Sequence, residues 1–168
     1  MIPISRFLEV SRVRFDAKQL KRCFEKNDIE ELKTLGHHYL TNTTYIEKKE
    51  YMELEELINV TLDWIYNVEN RDVQQAFFDM IKNVINVHYR REFRMQKCLN
   101  KIEQVVINGK VDDWELAETL LIISYTIDER YMDLMSEFKD HEDVYIREIV
   151  SEYIYDIEMQ KLLKKENK

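Results

Sequence analysis

Two spaced pairs of carboxylates sit in the acidic third of the chain: Glu115 and Glu118, then Glu137 and Asp140. Acids three residues apart share one face of a helix, and two such faces could gather a divalent cation between them. A second cluster, Asp140-His141-Glu142-Asp143, packs an imidazole among three acids. Its members are consecutive, so their side chains diverge around a turn, whereas metal ligands must converge, as two His at i and i+4 do. Acids are also what a helix N-terminus attracts through its dipole. The cluster therefore reads as the cap of a helix opening at Asp143. His37 and His38 point about 100° apart on a helix and do not converge. His88 and Glu92 are i, i+4 neighbours with no third ligand in view. No phosphate-cradling glycine loop, GxSxG turn or paired Ser/His set occurs. No catalytic residue, no metal ligand and no cofactor is expected.

The spacing of Glu115, Glu118, Glu137 and Asp140 is similar to the metal-binding motif of the all-α, MazG-like nucleotide pyrophosphohydrolases. That resemblance implies a Mg²⁺-dependent hydrolase in which acids from two helices hold ions that orient phosphate oxygens. Fifteen acids in residues 110–160 satisfy so loose a pattern readily, and no Lys/Arg cluster lies close by in sequence to receive a triphosphate. A solvated acidic face is the simpler reading.

The main basic feature is HYRREFRMQK, residues 88–97. On a continuous helix Arg90, Arg94, Lys97 and Lys101 fall within about 60° of one another. Such a stripe is a candidate anion-binding surface, suited to a nucleic-acid backbone or an acidic protein. The plainer reading is a solvated face paired with the chain's own acids.

The elements that must position these groups are helices. Gly occurs twice and Pro once in 168 residues, too few for the hairpins and bulges of a sheet protein. A hydrophobic share of 45% suffices for a core, while 35% charged is high. No apolar run of about 18 residues suggests a membrane span, and the start MIPISRFLEVSRVRF lacks the apolar stretch of a secretory signal. Cys23 and Cys98 form no CxxC and read as reduced, buried thiols, so a cytoplasmic protein is expected. Residue usage rich in Ile, Lys, Asn and Tyr suggests an AT-rich bacterial or phage genome. Charge is uneven. Residues 1–26 carry a net +4, residues 27–109 a net −4, residues 110–160 a net −11 and residues 161–168 a net +3.

Helix starts are signposted by capping boxes at Asp16–Gln19, Asp28–Glu31, Thr44–Glu47 and Asp112–Glu115, and Asn108-Gly109 marks a stop. Four times an Asp followed by an apolar residue opens a helix: Asp28-Ile29, Asp72-Val73, Asp113-Trp114 and Asp143-Val144. First helices are predicted at 16–26, 45–67, 91–107 and 129–139. Second helices are predicted at 28–40, 72–88, 113–126 and 143–164. Helix pairs repeating at about 40 residues, none able to bury its apolar face alone, are the signature of a stacked α-solenoid. Apolar residues at steps of three and four predict the core: Ile146, Ile149, Val150, Tyr153, Ile154 and Ile157 in the last helix, and Leu116, Ala117, Leu120, Leu121 and Ser124 in the helix from 113.

Residues 99–154 resemble two HEAT-type repeats. In that family a first helix ends in an acidic turn, and the second opens with Asp, an apolar residue and then Arg. Asp143, Val144, Ile146 and Arg147 follow the pattern. Asp113, Trp114, Leu116 and Ala117 follow it less closely, because Glu118 stands where a base or small residue is usual. The resemblance implies one domain over 1–168, a short right-handed solenoid of about four antiparallel helix pairs.

A solenoid presents a continuous face built from its second helices. The expected function is protein–protein interaction, as a small inhibitor, immunity protein or regulatory adaptor that is not an enzyme. The expected partner is a protein with a basic surface, met through Glu115, Glu118, Tyr145, Glu148, Glu152, Tyr155 and Asp156. Two alternatives remain: nucleic-acid binding by the 90–101 stripe, and the Mg²⁺-dependent hydrolase.

Overall fold

The structure, a computed structural model, describes residues 22, 23, 25, 26, 28–31, 33, 34, 48–63, 65–88 and 95–166. Among them there is no strand, and no helix is long and apolar enough to cross a membrane. The fold is all-α. The elements are α1 (Lys48–Thr61), a 3-10 turn (Ile65–Asn67), α2 (Arg71–His88), α3 (Gln96–Asn108), α4 (Asp113–Ser124), a second 3-10 turn (Glu129–Tyr131) running into α5 (Met132–Ser136), and α6 (Val144–Glu166). Helical residues also occur at 22, 23, 25, 29–31, 33 and 34. The capping boxes expected at Asp16 and Thr44 lie outside the described residues.

Local chemistry explains most boundaries. At α4 the Asp112 carboxylate accepts from the Glu115 amide at 3.0 Å, and the Glu115 carboxylate accepts from the Asp112 amide at 3.2 Å. This reciprocal box satisfies two of the amides a helix start leaves bare. Asp28 makes half of the same arrangement, accepting from the Glu31 amide at 3.1 Å. Gly109 ends α3 at φ 59°, the left-handed turn that glycine adopts at no steric cost. At α2 the cap is Asn70, whose side chain accepts from the amides of Asp72 and Val73. The predicted opening at Asp72 is thus two residues late.

Two predicted helices are corrected. Of the stretch 91–107, residues 91–94 lie outside the described residues, and the described helix opens at Gln96 after Met95, which is buried at φ 41° and is not helical. The stretch 129–139 is a 3-10 turn and a short α-helix. From Glu137 to Lys139 each amide bonds back three residues, to Leu134, Met135 and Ser136. That tighter winding does not propagate.

Packing follows an alternating order. α1 lies on α3, α2 on α4, and α4 on α6, while α3 also meets α4 and α5 meets α6. The core runs through Phe77, Phe78, Ile81 and Ile85 of α2, Leu99 and Ile102 of α3, Leu120, Ile122 and Ile123 of α4, and Ile146, Ile149, Val150, Tyr153 and Ile157 of α6. Leu116, Leu120, Ile149 and Val150 are buried as predicted. The single apolar face predicted for 113–124 is too narrow. α4 is enclosed by α2, α3 and α6, so Glu115, Glu118, Thr119, Ile122 and Ile123 are buried as well, while Leu121 and Ser124 are only half-buried. A helix enclosed on several sides needs no polar stripe.

Candidate functional site

α2 and α4 are joined by a row of polar bonds that recur about one helix pair apart. Gln74 donates to Glu115 across 41 residues at 3.0 Å, and Gln75 donates to Glu118 across 43 residues at 3.2 Å. Arg71 adds an ion pair to Glu115 at 3.1 Å, bonds Asp112 and stacks its guanidinium 4.7 Å from the Trp114 ring centre. Lys82 closes the row, 2.7 Å from Glu118 and 2.8 Å from Asp79. The α1–α3 layer repeats the device. Lys101 donates to the Asn59 carbonyl across 42 residues, and the Cys98 thiol meets the Glu55 carbonyl across 43.

Glu115 and Glu118 are therefore not surface groups. They are 7% and 6% exposed, and their charge is met by Arg71, Gln74, Gln75 and Lys82. A buried carboxylate persists only when so paired, because removing it from water costs several kcal/mol. Burial presses the Lys82 ammonium toward neutrality, but its hydrogen bonds to Asp79 and Glu118 outweigh this and hold its pKa above the ordinary value. Burial raises the Asp112 carboxyl, and this is overcome by the Glu115 amide and by Arg71, so its pKa ends below the usual range. Burial pushes the Tyr66 hydroxyl up to about 12, where it bonds Thr119 at 3.0 Å. The remaining members of the acidic quartet, Glu137 and Asp140, are exposed. Among the described residues no three His, Cys, Asp or Glu side chains converge as a metal site.

The 140–143 cluster forms a turn and cap. Asp143 accepts from the amides of Tyr145 at 2.7 Å and Ile146 at 3.3 Å. His141 Nδ1 accepts from the Asp143 amide at 3.1 Å. Arg147 reaches back to the carbonyls of His141 and Glu142 at 2.5 and 2.8 Å. Arg147 is thus a clamp on the turn before its own helix.

Of the basic stripe, Arg90 and Arg94 lie outside the described residues, as do His37, His38 and Glu92. Lys97 is 3.6 Å from Glu56, and Lys101 is 2.5 Å from Asp63. Both are tied to α1. No family model matches this chain, and neither a curated protein nor a solved structure does.

The exposed acids are on α6. Its inner face buries Ile146, Ile149, Val150, Tyr153 and Ile157. Its outer face carries Glu148, Glu152 and Asp156 with Tyr145, 49% exposed, and Tyr155, 60% exposed. None of these three acids has an ion-pair partner among the described residues. Partial burial raises the Tyr145 hydroxyl, and the nearby Glu118 charge adds to it. Tyr145 thus borders the buried acid–base row.

Three features were not drawn from the sequence. The partners Arg71, Gln74, Gln75 and Lys82 fall on one side of α2 at helical spacing, which is a legible polar stripe. Met159 and Leu162 extend the exposed face of α6. A groove of about 740 Å³ is lined by Lys26, Asp28, Glu30 and Lys33 together with Asp72 and Asp79 of α2.

Proposed function

We propose that the chain is a protein-binding module, a short right-handed α-solenoid of HEAT-like helix pairs forming one domain. It meets a basic protein surface through Tyr145, Glu148, Glu152, Tyr155 and Asp156. One contrast carries this reading: the buried acids of α4 are neutralised by the protein's own bases, whereas the acids of α6 are exposed and unpaired among the described residues. Charge left unmatched beside accessible tyrosines suits recognition, because complementary charge speeds encounter and aromatic side chains anchor the complex. The alternating helix packing and the bonds at spacings of 41 to 43 support the solenoid. An inhibitor, immunity protein or adaptor is the kind of protein this surface serves. Glu115 and Glu118 hold the scaffold and are left out of the binding surface.

The test starts with a partner captured from the native host. Glu148, Glu152 and Asp156 are then reversed to Lys together, and folding is checked by circular dichroism. Surface plasmon resonance should show association at least tenfold slower, and wild-type association should slow as salt rises. A second set neutralises Arg90, Arg94, Lys97 and Lys101. If the acidic set binds like wild type while the basic set fails, nucleic-acid or acidic-partner binding replaces this reading.

A further inference from the structure

We infer that the partner lays a basic amphipathic helix along the outer seam of α6, on Tyr155, Met159 and Leu162, with Glu148 in line with the row, Glu152 and Asp156 on one side of it and Glu158 on the other. This rests on the partner-binding reading above and names the partner's chemistry. The three apolar residues are 60%, 37% and 53% exposed. Steps of four and three set them in a straight row, the spacing by which one helix receives another. α6 spends its opposite face on α4 and α5, so the row points outward. Residues 161–166 are all exposed, so the seam continues past the core.

Charge decides the occupant. All four rim acids are exposed, and none is ion-paired among the described residues. A second copy fits poorly. Parallel pairing sets each Glu148 and Glu152 against its twin, and antiparallel pairing centred on Met159 sets Glu152 of each copy level with Glu166 of the other, while Lys161, Lys164 and Lys165 fall level with Ile157, Ile154 and Tyr153 and not with an acid. Like charges so placed repel. A helix with Lys or Arg flanking a Leu-type row meets opposite charge on both sides. From Glu148 to Leu162 the seam rises about 21 Å, which matches about four turns of partner helix.

The test uses the full chain and three labelled synthetic peptides of about 14 residues each. One is a Leu/Lys helix with Leu at i, i+3, i+4 and i+7. One has the same composition shuffled to destroy the face. One replaces Lys by Glu. Fluorescence anisotropy should show the amphipathic basic peptide binding at least tenfold more tightly than the shuffled one, and no binding of the acidic one. Met159→Ser with Leu162→Ser, both at exposed positions, should weaken it at least tenfold with the circular dichroism unchanged. The Lys reversal of Glu148, Glu152 and Asp156 should weaken it as well. Equal binding of the shuffled peptide overturns the inference. If the charge reversal weakens binding and the serine pair does not, the acidic-face reading stands and the seam fails. If the serine pair acts and the reversal does not, both fail. A concentration-dependent dimer in sedimentation, lost in the serine variant, assigns the seam to a second copy.

Discussion

Glu118→Gln separates a structural acid from a ligand-binding one. Glu118 lies 2.7 Å from Lys82, whose side chain is only 11% exposed, and it also accepts from Gln75. Breaking a buried ion pair by removing one partner costs about 3–5 kcal/mol, because the other charge is left uncompensated. Here Asp79 stays 2.8 Å from Lys82, with its side chain 53% exposed. It offsets part of the loss, so the expected cost is about 2–3 kcal/mol. For a chain of this size that lowers Tm by about 4–12 °C. Replacing both partners, as Lys82→Met with Glu118→Leu, should return stability to within about 1 kcal/mol of wild type or above it, since the desolvation of two charges is then avoided. Urea denaturation at pH 7 followed by circular dichroism reads both variants together with the singles Lys82→Met and Glu118→Leu. A Glu118→Gln protein within about 0.5 kcal/mol of wild type would refute the structural role. So would a double variant as unstable as the sum of the singles.

Asp143→Ala should cost about 1 kcal/mol while Asp143→Asn is nearly neutral, since either Asp or Asn caps a helix; thermal melts unchanged by EDTA check that the cluster needs no metal. Ile149→Ala should cost about 2–5 kcal/mol in denaturant unfolding, because the side chain is buried between α6 and the rest of the core. Tyr66 is held up to about 12 by burial, so the folded state keeps its proton longer than the unfolded chain does. Its contribution is full below about pH 10 and is lost as pH rises toward 12, so melting temperature should fall across that window and Tyr66→Phe should flatten the fall. Glu152→Lys should raise stability by a few tenths of a kcal/mol while weakening the partner, as relief of like-charge repulsion along α6 requires; a loss of stability would mean that Glu152 is tied into the fold.

What could be read from the sequence was local. The Asp112–Glu115 box, the Gly109 stop and the Asp143 cap are each set within four residues, and each is present. The buried stripe of α6 follows from steps of three and four. The inward direction of Glu115 and Glu118 does not, because it is decided by side chains on α2 that precede them by 36 to 44 residues. Neighbours on both sides of α4 likewise erase the polar face expected there. The left-handed turn at Met95 also escapes local rules. Nothing in its residue type favours φ 41°, and the burial of its side chain at that turn is a tertiary effect.

The same contrast bears on what the acidity is for. Glu148, Glu152 and Asp156 follow one another at i, i+4 and i+8, a spacing at which like charges repel by about 0.2–0.5 kcal/mol per pair. An acid placed for folding is met by a base, as Glu115 is by Arg71 and Glu118 by Lys82. Yet two of this helix's bases are turned away from these acids. Lys161 turns to Glu129, and Arg147 is spent on the turn before α6. Solubility alone would be served by acids scattered anywhere on the surface. It gives no reason to line them beside Tyr155, Met159 and Leu162, where exposed apolar area has its own cost in water. A row that weakens the free helix, and sits against an apolar seam, is the arrangement that the proposed cationic partner relieves by covering both.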